Sequence, residues 1–438
     1  MSSTEFESVY DKAFQEYSMA LSEMESTDDL VEKEAAKYPI RQIFRDWLPK
    51  ITCSEDFNDE QKKAADRISK CKTTGIGMNA SFCPNCNRRF LHYASCSNRN
   101  CPCCQYPSQQ AWIEQRKNEV IPDTPYFHII LTVPHLLNDL ILANPKTLLS
   151  ALFRSSSEAV LELCREKRFL GATPGIISVL HTWSQRLLPH FHMHMIVSAG
   201  GLDRTGRFVS LSEKELSERQ KDANHQTGQD SHFFLPMSAL KKLFRGKMMD
   251  TVRTLLKEGK LAIPSENEDL YLDPGQWNRF CSKLYSEDWV GKIVQTFQGR
   301  GNAIEYLARY TFKTAICNNR IVGYDGKTVT ICITDRDSGK KQEYPMPAMT
   351  FISRFLTHVL PKGFTRVRYS GILSNARKKK SLSTIYRLLK RREYTPSPLA
   401  GASKAQIFKE LYHIDFNVCS CCGERLIRLP RGRPDWHK

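Results

Sequence analysis

The sequence predicts an α+β protein: a central antiparallel β-sheet flanked by helices, with a small cysteine-rich N-terminal module and a basic C-terminal region. Three observations carry this. Apolar β-rich runs such as YFHIILTVPH and GIISVLHTWSQ are separated by stretches of helical apolar spacing such as PKTLLSALFRSSSEAVLELCREK, and strands divided by helices, with hairpins where strands adjoin, build antiparallel sheets. Seven of the fifteen cysteines fall between Cys71 and Cys104, and three more between Cys419 and Cys422. Lys and Arg outnumber Asp and Glu by 64 to 47, a net charge of +17.

At 438 residues the chain is too long for one simple core, so two or three domains are expected. No run approaches the ~18 apolar residues of a membrane span, and the polar, acidic start MSSTEFESVYDKAF is no signal peptide. The first forty residues hold ten acids against three lysines, so the remaining chain carries +24. A basic body of that size points to a polyanion, nucleic acid above all. Without a secretory signal, clustered cysteine pairs read as metal ligands and not as a disulfide framework.

Along the chain, residues 1–38 read as an acidic arm. YPIRQIFRDWLPKI opens ordered, amphipathic structure, and Cys71 to Gln105 shows little periodicity, as expected of a metal-stapled module. QQAWIEQRKNEVIP reads as a helix ending near Pro122, YFHIILTVPH as a strand closed by proline. GIISVLHTWSQ and HFHMHMIVSAGG form a hairpin across RLLP, followed by a short strand at GRFVSLS and a loop through KDANHQTGQDSHFF. MSALKKLFRGKMMDTVRTLLKEGKL is a helix, WVGKIVQTF a strand, and GNAIEYLARYTFKTAI a helix with Asn302 as its N-cap. GKTVTICITD and the EYPMP segment pair as a hairpin, and PAMTFISRFLTHVLP is helical. The segments are laid end to end as 1–38, 39–122 (cysteine module and helix), 123–330 (main domain), 331–400 (sheet extension and basic helices) and 401–438 (basic, cysteine-containing tail).

The stretch PHFHMHMIVSAGG carries the chemistry. In a strand, alternate residues share a face, so His192 and His194 point one way with Cβ atoms about 7 Å apart, while Met193, Met195 and Val197 face the core. Two imidazoles inside an apolar run each need a buried partner, and one shared cation supplies it. Gln185, near the end of the preceding strand, is a candidate third ligand, its amide oxygen suited to Mg²⁺ or Mn²⁺. Tyr306 and Tyr310 are four apart and share a helix face, where they either pack in the core or present two phenols to the site. Arg309 and Lys313 in the same segment would supply positive charge for phosphate.

Cys83-Pro-Asn-Cys86 and Cys101-Pro-Cys-Cys104 are two C-x-x-C pairs separated by fourteen residues, close to the spacing of a tetrahedral Zn²⁺ site. Cys71, His92, Cys96 and Cys103 are surplus, forming a second site or substituting within the first. Arg88, Arg89 and Arg99 stand among these ligands, so the module is a candidate for DNA binding as well as for zinc-dependent folding. Cys419-Ser-Cys-Cys422 is half a zinc site, with His413 or His437 as candidates to close it. Lys378, Lys379, Lys380, Lys390, Arg391 and Arg392 read as phosphate contacts.

These parts in this order resemble the rolling-circle insertion-sequence transposases of the HUH (His–hydrophobe–His) class with paired tyrosines. The matching motifs are SCSNRNCPCCQ, YFHIILTVP, HTWSQ before HFHMHMIVSAGGL, YLARYTFKTAICNNRI and FLTHVLPKGFTRVRYSGIL, spread over roughly residues 40 to 375. The resemblance implies an HUH endonuclease domain. That domain acts on single-stranded DNA, with His192 and His194 binding a divalent cation and Tyr306 and Tyr310 forming a 5′-phosphotyrosine. It also places a zinc module at the N-terminal cysteines and includes positions matching Cys71 and Cys96. It implies a cytoplasmic, nucleoid-associated bacterial protein acting at transposon ends without a nucleotide cofactor; the oligomeric state stays open. Phe191 stands where family members commonly show proline, and Asn100 where a basic residue or histidine often precedes CP. A replication initiator or relaxase of the same class, and a non-catalytic zinc-dependent DNA-binding regulator, are the rival readings. A zinc hydrolase is disfavoured by the lack of H-E-x-x-H.

Overall fold

A computed structural model of the chain describes residues 39–219, 234–287, 289–297, 302–335 and 338–428. The acidic arm, most of the expected loop after residue 220, and the terminal RGRPDWHK with His437 lie outside these residues. The strands in chain order are β1 Met78–Cys83, β2 Arg88–Tyr93, β3 Tyr126–Thr132, β4 Thr173–Trp183, β5 Pro189–Leu202, β6 Phe208–Ser210, β7 Gly291–Phe297, β8 Ile321–Tyr324, β9 Thr328–Thr334, β10 Lys341–Pro347, β11 Val367–Gly371 and β12 Ile427–Arg428.

The chain divides into two compact units. One takes the described residues up to Ala111 with Lys313–Val359 and the described residues from Gly401; the other takes Trp112–Phe312 with Leu360–Ala400. Neither is contiguous, in contrast to the end-to-end segments read from the sequence. Strand pairing is the reason: β12 returns to β1 and β11 returns to β4.

The first unit holds two three-stranded antiparallel sheets, β12-β1-β2 and β10-β9-β8. Its helix Pro39–Cys53 buries Ile40, Ile43, Phe44 and Ile51 at helical spacing, and Phe44 meets Phe355 of the helix Ala348–Leu356 edge-on at 5.2 Å. The helix Asp59–Ser69 starts with a capping box. The Asn58 side chain accepts from the Gln61 backbone N–H at 3.1 Å, and the Gln61 side chain accepts from Asn58 N–H at 2.9 Å. Such a cap contributes about 1 kcal/mol. The cysteine module, which has little periodicity overall, contains the β1–β2 hairpin, and Met78, Ala80 and Phe82 alternate inward along β1.

The second unit is built on one six-stranded antiparallel sheet of order β11-β4-β5-β3-β7, with β6 paired to β5. Strand alternation decides its two faces. Phe127, Ile129 and Leu131 of β3, Ile176 and Leu180 of β4, and Met193, Met195 and Val197 of β5 enter one core, covered by the helices Pro145–Arg165 and Met237–Lys257. Each fully buried side chain of this size contributes about 1.5–3 kcal/mol. Tyr126, Ile177, Val179 and Ile196 face the other way, into a second core with Ile304, Leu307 and Ala308 of the helix Asn302–Thr311 and Leu382 and Ile385 of the helix Lys378–Leu388.

The helix expected to run through GNAIEYLARYTFKTAI stops at Thr311. The Arg366 guanidinium donates to the Thr311 carbonyl at 2.7 Å, satisfying an end that has no helical partner. Asn302 is the first helical residue and not the residue preceding the helix.

Candidate active site and metal centres

β3, β4 and β5 bring four histidines to the same face of the sheet. The β4–β5 register sets His181 directly across from His192 and Val179 across from His194, and β3 lies on the far side of β5 with His128 across from Ile196. The ligand nitrogens of His181, His192 and His194 all lie within 4.8 Å of one another. His128 and His194 are buried, and the His128 Nε2 to His194 Nδ1 distance is 2.8 Å.

The helix Asn302–Thr311 covers this face. Its i, i+4 spacing puts Tyr306 and Tyr310 side by side above the histidines. The Tyr310 hydroxyl donates to the Tyr306 oxygen at 2.9 Å, and the Tyr306 oxygen lies 3.1 Å from His128 Nδ1. The Tyr310 ring stands 4.2 Å from the His194 ring and 5.8 Å from the His181 ring, centroid to centroid.

Hydrogen bonding assigns two of the histidine tautomers, because a carbonyl only accepts. His181 Nε2 lies 2.7 Å from the Tyr310 carbonyl, so Nε2 carries the proton and Nδ1 keeps its lone pair. His192 Nδ1 lies 2.9 Å from the His190 carbonyl, which leaves Nε2 as its lone pair. Both residues thus have the second partner that orients a metal-ligating imidazole. Burial pushes His181 well below the usual imidazole range, with the charges of His194, His192 and Arg366 acting the same way. Burial, then Lys292, pushes His128 down to about 4. These rings are therefore neutral near pH 7, the form that ligates a cation. Burial first, and Tyr306 second, push the Tyr310 phenol above its ordinary value, with Arg309 opposing.

Gln185, the candidate third ligand, is exposed in the β4–β5 turn, and the group of possible ligands contains His181 in its place. The reason is register. β4 remains paired as far as Trp183 opposite Pro189, so Gln185 falls in the turn instead of facing His192. The signal was in the sequence: His181 and His128 are each a histidine inside an apolar strand run, as His192 and His194 are. Arg309 is exposed on the tyrosine helix, whereas Lys313 falls in the other unit.

The cysteines also group differently from their spacing. Cys71, Cys96, Cys101 and Cys104 form one cluster and Cys83, Cys86, Cys419 and Cys422 another, each with its sulfurs within 4.8 Å. The two nearby C-x-x-C pairs do not close a single site, because the hairpin turn between β1 and β2 holds Cys83 and Cys86 apart from the second pair. In the first cluster, hydrogen bonding with Cys101 holds Cys71 far below a thiol's ordinary value, while Cys103 and then Cys104 drive Cys101 far above it. Only a cation among them lets all four sulfurs be thiolates. Arg88 and Arg89 are exposed at the start of β2; Arg99 is half-buried, its guanidinium pKa lowered by burial against the opposing charge of Glu60.

Parts of the basic run are occupied within the protein. Lys378 Nζ lies 2.6 Å from the buried Glu119 carboxylate, and Arg391 pairs with Asp123. Among the described residues no helix is long and apolar enough to cross a membrane.

Residues 175–381 match the family model described as a putative transposase, and residues 43–133 match a transposase zinc-binding domain. The chain is 30% identical over 366 residues to a putative transposase, y4qJ, of Sinorhizobium fredii, covering 83% of this chain and 87% of that protein. It is 26% identical over 377 residues to the transposase for insertion sequence element IS801 of Pseudomonas savastanoi pv. phaseolicola, covering 85% of this chain and 84% of the relative. Against a solved conjugative relaxase, TrwC in complex with oriT DNA, the likeness is 11% identity over 42% of this chain and 68% of the other at a TM-score of 0.20. The first cysteine cluster lies wholly inside the zinc-binding domain. With relatives matched over most of their length, the chain belongs to the family of insertion-sequence transposases.

Proposed function

We propose that this transposase cleaves and rejoins single-stranded DNA at transposon ends through a 5′-phosphotyrosine, with Tyr306 and Tyr310 as nucleophiles. The observation that carries the reading is the Tyr310 ring standing against His194 and His181 of the histidine group, with the Tyr306 oxygen in contact with the Tyr310 hydroxyl and with His128. The donor set of three imidazoles fits Mn²⁺, and Mg²⁺ with added water or phosphate oxygens. A divalent cation there would neutralise charge on the scissile phosphate and fix its position.

The chain's own residues do the rest. If His194 ligates through Nε2, its Nδ1–H donates to His128 Nε2, and His128 Nδ1–H is then directed at the Tyr306 oxygen. That oxygen also accepts from the Tyr310 hydroxyl. These two contacts hold the Tyr306 oxygen in place for attack on a phosphate. Attack by the tyrosine oxygen forms a bond to phosphorus and breaks the bond from phosphorus to the 3′ oxygen; the tyrosine hydroxyl gives up its proton to water and the 3′ oxygen takes one from water, leaving as a hydroxyl. The phosphodiester energy is retained in the adduct, so the freed 3′-hydroxyl or another can reverse the step without ATP. The second tyrosine, one helical turn away, can take a second 5′ end while the first is held, as rolling-circle transfer requires. Arg309, exposed on the same helix, would meet a phosphate of the bound strand. Cys71, Cys96, Cys101 and Cys104 hold the zinc of the N-terminal domain, and Arg88, Arg89 and Arg99 contact DNA from it.

The test is incubation of purified protein with Mg²⁺ or Mn²⁺ and a single-stranded oligonucleotide bearing the element's own end. A covalent protein–DNA adduct is expected, reduced in Tyr306→Phe and in Tyr310→Phe and absent in His192→Ala. Wild-type adduct formation by the double tyrosine variant would overturn the assignment.

A further inference from the structure

We propose that Cys83, Cys86, Cys419 and Cys422 bind a second structural Zn²⁺, closing a zinc ribbon from the two ends of the chain. The zinc-binding domain match ends at residue 133, so it holds only half of this ligand set. In a tetrahedral Zn–thiolate site with bonds of about 2.3 Å, neighbouring sulfurs are about 3.8 Å apart. The Cys83–Cys422 sulfurs are 3.5 Å apart and the Cys419–Cys86 sulfurs 3.9 Å apart.

Both pairs have the same local build. The Cys86 amide donates to Cys83 Sγ at 3.4 Å, and the Cys421 amide donates to Cys419 Sγ at 3.4 Å. The residue after each pair is left-handed, Asn87 at φ 53° and Gly423 at φ 75°, which turns the backbone sharply enough for both sulfurs to face inward. The first pair sits in the turn between β1 and β2; the second precedes β12, which pairs with β1 at Ser81–Arg428 and Phe82–Ile427. The result is a three-stranded sheet with two cysteine turns meeting at one end.

The tail itself needs such a staple. Among its described residues from Gly401 onward, only Ile407 and Cys419 are buried. A strand of two residues with so small a core does not hold a segment in place by packing alone. A metal bridging Cys83 and Cys86 to Cys419 and Cys422 does.

The experiment is zinc counting by native mass spectrometry on the full chain, in a His181→Ala/His192→Ala background so that the histidine group takes up no zinc. Two zinc ions per chain are expected, falling to one in Cys419→Ser/Cys422→Ser and to one in Cys101→Ser/Cys104→Ser. If either cysteine variant fails to fold, Co²⁺ titration of the parent chain decides, with two equivalents expected to give thiolate charge-transfer absorption. A parent chain that holds one metal, a Cys419→Ser/Cys422→Ser variant that keeps two, or a metal-free chain with these cysteines joined as disulfides overturns the proposal. None of these outcomes bears on the tyrosine chemistry, which the adduct assay reads separately.

Discussion

The Tyr306 oxygen stands 3.1 Å from His128 Nδ1, and the other nitrogen of the same imidazole stands 2.8 Å from His194 Nδ1. One buried ring thus spans from a member of the histidine group to a phenol that we assign as a nucleophile. We assign His128 a positioning role, exerted through His194 and Tyr306.

His128→Ala is expected to slow adduct formation by about 100-fold at saturating Mn²⁺ and to weaken Mn²⁺ binding by about 10-fold. Oligonucleotide binding should be unchanged. Single-turnover adduct kinetics with a parallel binding assay read the split; an unchanged rate at saturating metal would show that His128 only packs.

Removal of His181 should cost the metal, and removal of Gln185 should not. By isothermal titration, His181→Ala is expected to lose at least about 10-fold in Mn²⁺ affinity, whereas Gln185→Ala should match the parent. The reverse order would return the third position to the glutamine.

Gly201 is fixed by a backbone approach, not by its torsion. A Cβ there would stand 2.0 Å from the Thr173 carbonyl oxygen, across the β4–β5 pair. Gly201→Ala should destabilise the chain by about 3 kcal/mol. Gly246, in the helix Met237–Lys257 with open space around it, should behave oppositely, with Gly246→Ala stabilising by roughly 0.5–1 kcal/mol. Urea denaturation of the two variants checks the signs, and equal effects would refute the steric account.

Two ion pairs in the basic region should differ in strength. Glu119 is buried, and among the described residues Lys378→Met leaves its carboxylate with Arg116 as its cationic partner, 3.7 Å away; the loss should be about 2–3 kcal/mol, allowing for the partial exposure of Lys378. Arg391→Met breaks an exposed pair with Asp123 and should cost under about 1 kcal/mol. Denaturation midpoints that move equally would contradict the distinction.

The sequence by itself determined which residues share a face. Period-two alternation in HFHMHMIVSAGG put Met193, Met195 and Val197 into one core and His192 and His194 opposite them, and a spacing of four placed Tyr306 and Tyr310 together on one helix. Those are local consequences of strand pleat and helix pitch. Tertiary structure decided which residues meet. Register placed His181, not Gln185, across from His192; the packing of β3 against β5 brought His128 between His194 and Tyr306; and the return of the chain end to β1 split the cysteines into two groups. Pairing register and long-range closure depend on contacts between distant segments, and no local pattern of residues encodes them.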